Sequence, residues 1–141
     1  MTRSQKALAG FFSLTGTLHF VIPRSYEAMM PPSLPRHKEA VAVSGIAEIV
    51  GGLAVAKPST RRFARWWLLA LLVAVFPANV YMAVCRDRIP DLHVAPWLLW
   101  LRLPMQGVFV VWVWYAAGGY TRNAGRPAAD PDPGAGDGVR A

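Results

Sequence analysis

Four apolar segments, residues 7–22, 40–56, 63–84 and 95–115, leave this chain few ways to fold. Crossing the hydrocarbon core of a bilayer takes about 17–25 apolar residues in a helix. The first two segments sit at the short end of that range and the last two fill it. A water-soluble domain of 141 residues could not hide a chain that is 54% hydrophobic and only 16% charged, because small domains leave much of their surface in solvent. The expectation is therefore an all-α integral membrane protein, an antiparallel four-helix bundle within residues 1–117. Residues 118–141, rich in Gly, Pro, Ala and Asp, bury too little apolar surface to fold and are expected as a disordered cytoplasmic tail.

The connections refine this picture. Residues 23–39, "PRSYEAMMPPSLPRHKE", carry four prolines, which fix φ and remove amide donors; the stretch reads as an ordered loop or re-entrant cap without regular helix. The link "KPSTRR" (57–62) is short, which makes the second and third spans antiparallel neighbours. Arg3 and Lys6 before the first apolar run look like the start of a secretory signal, but Phe20-Val21-Ile22-Pro23 is no small-residue cleavage site. The segment is read as a span.

The net charge of +7 does not mark a nucleic-acid binder, since the basic residues flank the apolar segments and form no separate patch with stacking aromatics. They set orientation instead. The side holding both termini and the 57–65 link carries nine Lys and Arg, and the other carries five, diluted by Glu27, Glu39, Asp87 and Asp91. The positive-inside rule then puts both termini in the cytoplasm. Cys85 is the only cysteine, so no internal disulfide or dithiol redox pair can form.

Within "VSGIAEIVGG" (43–52), Glu48 has no other charge within eight residues on either side. A charge near mid-membrane costs about 2.5–3.5 kcal/mol on insertion scales and must be paired, protonated or hydrated. Ala40, Ser44, Glu48, Gly52 and Ala56 share one helix face. That face is small everywhere else, and small stripes let membrane helices approach closely, so Glu48 is expected to point inward. Arg102, Asn79 and His19 fall in the outer half of their own spans and are its candidate partners. Three readings follow: a structural Glu48–Arg102 pair, a ligand pocket, or a proton relay. In the structural reading Arg102 snorkels, Asn79 bridges helices and His19 caps a carbonyl. Tyr26 and "MMPP" (29–32) line a hydrophobic entrance or form a lid. His19, His37 and His93 lie on the outer side without ligand spacing, so no metal site is expected. No phosphate-binding glycine loop, Ser-His-Asp signature or internal repeat of the transporter kind stands out.

Taken in order, "HFVIPRSYEAMMPPSLP" (19–35), "SGIAEIVGGLAV" (44–55), "STRRFARW" (59–66) and "VFPANVYMA" (75–83) resemble the DoxX-like family of small bacterial membrane proteins. The resemblance covers roughly residues 7–117. His19, Pro23, Tyr26, Pro32, Leu34, Pro35, Glu48, Pro77, Asn79 and Met82 fall on its recurrent positions. It implies four transmembrane helices in the bacterial cytoplasmic membrane. It also implies roles that diverge: a quinone-reducing subunit of a sulfur-oxidising oxidoreductase, a component of oxidative-stress complexes, or a receptor-assembly chaperone. The expected function is a small quinone- or ligand-binding subunit of a membrane redox complex, with His19, Tyr26, Glu48, Asn79 and Arg102 around the ligand. Its partners would be the lipid bilayer, a membrane or soluble oxidoreductase subunit that brings the other redox centre, and a second copy of the chain. The alternatives are a non-catalytic scaffold whose small-residue faces dock partner helices, and a carrier of a small hydrophobic molecule.

Overall fold

A computed structural model describes residues 1–89 and 94–118 of the chain. The expected tail lies outside the described residues from position 119 onward, as do Asp91 and His93. The described chain is helical, in the order α1 (Arg3–Val21), α2 (Pro23–Ala28), α3 (His37–Ala56), α4 (Arg61–Val84) and α5 (Pro96–Ala116). Short 3-10 turns at Pro58–Thr60 and Arg86–Arg88 precede and follow α4.

Polar turns carry two helices beyond their apolar segments. α1 starts at Arg3 because Thr2 and Gln5 form a reciprocal capping box, each side chain bonding the other's backbone N–H. α3 starts at His37, after Arg36 turns the chain in a left-handed conformation with φ 58°. The proline-rich stretch is also less irregular than its composition suggests. Pro23 opens α2 at the first helical position, where its missing N–H costs nothing; only the later prolines keep the chain out of helix.

Three stretches are long and apolar enough to cross a membrane: α3, Pro58–Val84 containing α4, and α5. No more than a third of each is buried against the rest of the chain. α1 is as long, at 19 residues, but its Ser4, Gln5, Lys6, Ser13, Thr15, Thr17 and His19 make it too polar to stand with the other three on composition alone.

α1 packs along α3, α3 against α4, and α4 against α5, with a smaller α1–α5 contact. A buried cluster joins the start of α1 (Leu8, Phe12), the end of α3 (Val55), the start of α4 (Ala64, Leu68, Leu72) and the end of α5 (Val113, Ala116). Successive long helices therefore run in opposite directions, with both ends of the described chain at this packed end. Gln5 Nε2 donates to the Ala116 carbonyl at 3.2 Å, and Arg65 donates to the Gly118 carbonyl while lying 5.0 Å from the Trp114 ring centre.

The closest helix approach is between α1 and α3. A Cβ on Gly16 would stand 2.6 Å from the Gly45 carbonyl oxygen, and one on Gly45 would stand 2.7 Å from the His19 Cβ. Gly52 packs against the Ala9 carbonyl and Ser13 in the same interface, whereas Gly51 faces Leu68 of α4. The small residues of α3 thus serve two neighbours on two faces. At the other end of the molecule, Met82, Ala83, Ile89 and Leu99 form a second, smaller cluster capped by Ala28 and Met29.

Candidate functional site

Between these two clusters the helices enclose a cavity of about 210 Å³. All five polar residues singled out from the sequence line it, and they come from every helix: His19 from α1, Tyr26 from α2, Glu48 from α3, Asn79 from α4 and Arg102 from α5. Phe11, Phe12, Phe109, Met29, Met30, Met82 and Met105 supply much of the remaining wall. The site is thus a mostly apolar chamber with a few convergent polar groups, the usual build of a small-molecule site.

The polar geometry centres on His19 and Glu48. His19 Nδ1 lies 2.9 Å from the Thr15 carbonyl oxygen. A carbonyl can only accept, so Nδ1 carries a proton and Nε2 is left with a lone pair unless the ring is doubly protonated. Nε2 faces Glu48 Oε1 at 3.8 Å, with the two side chains 7% and 13% exposed. The imidazole thus presents its Nε2 edge to the Glu48 carboxyl across the α1–α3 interface. A carboxyl group in an apolar interior needs a polar partner of this kind. Glu48 Oε2 is buried with no hydrogen-bond partner.

The partner of Glu48 differs from the one expected. No Glu48–Arg102 ion pair exists among the described residues. Arg102 lines the cavity but is exposed, consistent with a long side chain reaching toward the helix end, while His19 is buried directly against α3. The physical reason is the glycine contact: Gly16 and Gly45 bring α1 so close to α3 that the next turn of α1 delivers His19 to Glu48.

Tyr26 stacks on the His19 ring, with centroids 3.8 Å apart and planes at 26°. The α2 cap thus bears down on the His19–Glu48 pair. Burial, with a smaller push from the Glu48 carboxylate, raises the Tyr26 phenol above its ordinary range, against an opposing pull from Arg102. The phenol stays neutral, a hydrogen-bond donor, at any physiological pH. His37 Nε2 lies 3.1 Å from the Pro31 carbonyl oxygen and so ties the loop after α2 to the start of α3.

On the opposite wall Asn79 Nδ2 donates to Gln106 Oε1 at 2.6 Å, and Gln106 Nε2 donates to the Leu72 carbonyl. Pro77 sits inside α4 between these two points. A proline within a helix has no N–H to offer the carbonyl four residues before it, here that of Val73, next to the Leu72 carbonyl that the α5 amide reaches. Gln106 was not singled out from the sequence. It stands four residues after Arg102, on the same helix face, and that spacing was the available signal.

No curated protein and no solved structure matches the chain. Residues 8–117 match a family model described as a domain of unknown function, DUF8561. That match covers all the described helices except the first five residues of α1, and every cavity-lining residue named above, and the chain belongs to this family.

Proposed function

We propose that the chain is a multi-pass membrane protein whose four long helices form an antiparallel bundle with both termini in the cytoplasm, and that the cavity binds a small ring-shaped ligand of the quinone class. The carrying observation is the convergence of His19, Tyr26, Glu48, Asn79 and Arg102, one from each helix, on a cavity otherwise walled by aromatic rings and methionines. A 150 Å³ apolar cavity takes a benzene molecule; about 210 Å³ takes a ring with a few substituents. Glu48 Oε2 offers an unmet acceptor or donor to the ring's oxygen, and Tyr26 a phenolic donor.

Membrane insertion is supported by large apolar side chains that point outward along the helices, among them Val43, Ile46, Leu53, Val73, Val108 and Val111, each more than half exposed. In water such a surface would drive aggregation; in lipid it is solvated. Reading α1 as the fourth span is supported by the internal hydrogen bonds of several of its polar side chains. Thr15 and Thr17 hydroxyls donate to carbonyls one turn back, at 3.0 and 2.7 Å, and Ser4 accepts from Trp112 Nε1 at 2.9 Å. Its 19 residues span about 28 Å, close to the hydrocarbon thickness. Arg3, Lys6, Lys57, Arg61, Arg62 and Arg65 gather at the packed end, where no described acidic residue stands, which supports placing that end in the cytoplasm.

As a DoxX-like subunit of a membrane redox complex, the protein would hold the ring and exchange a proton through the His19–Glu48 pair, while a partner oxidoreductase exchanges the electrons. The scaffold reading draws less support, because Gly16, Gly45, Gly51 and Gly52 are already used in contacts within the chain. The test is mass spectrometry of small molecules retained by the purified protein, wild type beside Glu48→Gln, both first shown to be folded and monodisperse. A quinone or quinone-like ring held by wild type and lost from the variant is the expected result. A ligand-free wild type, from cells that make quinones, would overturn the binding reading.

A further inference from the structure

The walls of the cavity are unequally closed. α1 and α3 meet at the glycine contact, α3 packs along α4, and α4 and α5 are joined through Asn79 and Gln106. α1 and α5 differ. They meet through Gln5 and Ala116, Ser4 and Trp112, and the Phe11 ring stacked on Phe109 with centroids 4.9 Å apart. All of these lie toward the packed end. Beyond Phe11 on α1 and before Phe109 on α5, no hydrogen bond or ring contact joins the two helices among the described residues.

The cavity lies behind that gap. Its α3 and α4 walls and the His19 side of α1 are buried or half-buried, whereas the lining residues at the α1–α5 seam reach the outside: Phe11 is 36% exposed, Met105 is 40% exposed, and Arg102 is exposed as well. The α2 cap, leaning on α1 and α3, roofs the chamber and does not fill the seam. Volume adds a second constraint. A space of about 210 Å³, against 150 Å³ for benzene, accommodates a substituted ring and has no room for a long hydrocarbon chain. A ligand with such a chain must leave it outside.

We propose that the cavity opens sideways between α1 and α5, above the Phe11–Phe109 stack, and admits from the bilayer a lipophilic molecule whose polar ring enters while its tail stays between the two helices in lipid. This rests on the preceding reading of the cavity as a ring site and of the helices as membrane spans. It makes the substrate class a tailed, membrane-dissolved quinone and not a water-soluble ring compound delivered from outside. It also gives Arg102 a place at the lip, where its guanidinium meets the polar edge of the incoming ring. Phe11 and Phe109 are the floor of the opening.

The test uses the full chain in lipid nanodiscs and a naphthoquinone carrying a diazirine in the first carbons of a long alkyl tail. After illumination the labelled peptides are mapped, with and without excess untailed methylnaphthoquinone as competitor. The expected result is labelling of residues 11–18 of α1 and 101–108 of α5, lost with the competitor and lost in folded Glu48→Gln. Competitor-sensitive labelling confined to the outer faces of α3 and α4 would leave the ring site standing and overturn the side opening. Labelling that the competitor does not displace anywhere would overturn the ring site itself, and the opening with it.

Discussion

Replacing Gly16 by alanine tests the contact on which the site depends. The added Cβ would lie 2.6 Å from the Gly45 carbonyl oxygen, 2.8 Å from Ile49 Cγ1 and 2.9 Å from Glu48 Cβ. Ordinary van der Waals contact begins at 3.4 Å, so the closest of these falls about 0.8 Å short. The offending atom is backbone, which cannot rotate away, and α1 and α3 must separate. Overpacking of this kind costs about 1–3 kcal/mol. Alanine also favours helix over glycine by about 0.8–1 kcal/mol, which would mask part of the loss. Gly10→Ala supplies the reference, because a Cβ there meets nothing within 4 Å. Subtracting one variant from the other removes the propensity contribution and leaves the steric one. In mixed micelles titrated with SDS and followed by far-UV circular dichroism, Gly16→Ala should be less stable than Gly10→Ala by about 1–3 kcal/mol. It should also weaken ligand retention, since His19 and Glu48, already 3.8 Å apart, move with the two backbones. Equal stabilities for the two alanine variants would refute the close α1–α3 approach and the account of why His19 reaches Glu48.

Two further outcomes follow from the opposite wall and from the cap. Gln106→Leu removes the link between α5 and the Leu72 carbonyl and strands Asn79; since hydrogen bonds between membrane helices are worth about 0.6 kcal/mol on average and 1.7 at most, the same SDS titration should show a loss in that range, and a gain in stability would contradict the network. For Tyr26 the folded protein holds the phenolic proton more tightly than the unfolded chain, whose value is near 10.0. The resulting contribution to stability is complete below that pH and is lost as pH rises through the folded value. Wild type should therefore lose stability faster than Tyr26→Phe above pH 10, and parallel curves for the two would show that packing on His19 does not desolvate the phenol.

The sequence carried most of the helical layout, because long apolar runs interrupted by proline and basic links can form little else. What it could not carry were features that depend on helix rotation and depth. Glu48 was legible as an inward carboxylate from the small residues around it, but spacing along one helix says nothing about which partner helix supplies the counter-group. Arg102 carries a full charge and was the natural candidate; it is the burial of His19, set by Gly16 and Gly45 across the interface, that decides the pairing. Boundaries slipped for a related reason. Hydropathy marks where a helix leaves oil, whereas hydrogen bonding lets it run on through Arg3–Lys6 and His37–Glu39. α2 is hidden by the proline content of 23–39 as a whole, although Pro23 stands at a helix start, where proline opens a helix.

The two ends of the molecule divide its work. At the end holding the basic residues, Leu8, Val55, Ala64, Leu68 and Val113 are essentially inaccessible and the four long helices meet in one cluster. Toward the other end, α4 is interrupted by Pro77 and α5 by Pro104. Each proline removes one backbone hydrogen bond from its helix near the cavity. On the α4–α5 side, Asn79 and Gln106 join the two helices through side-chain hydrogen bonds. On the α1–α3 side the link is the close approach at Gly16 and Gly45. Between the α1–α3 pair and the α4–α5 pair a chamber remains, and its polar groups come one from each helix. Changes at the packed end should therefore act on stability while sparing ligand binding, and changes at Pro77 or Pro104 should act on binding first.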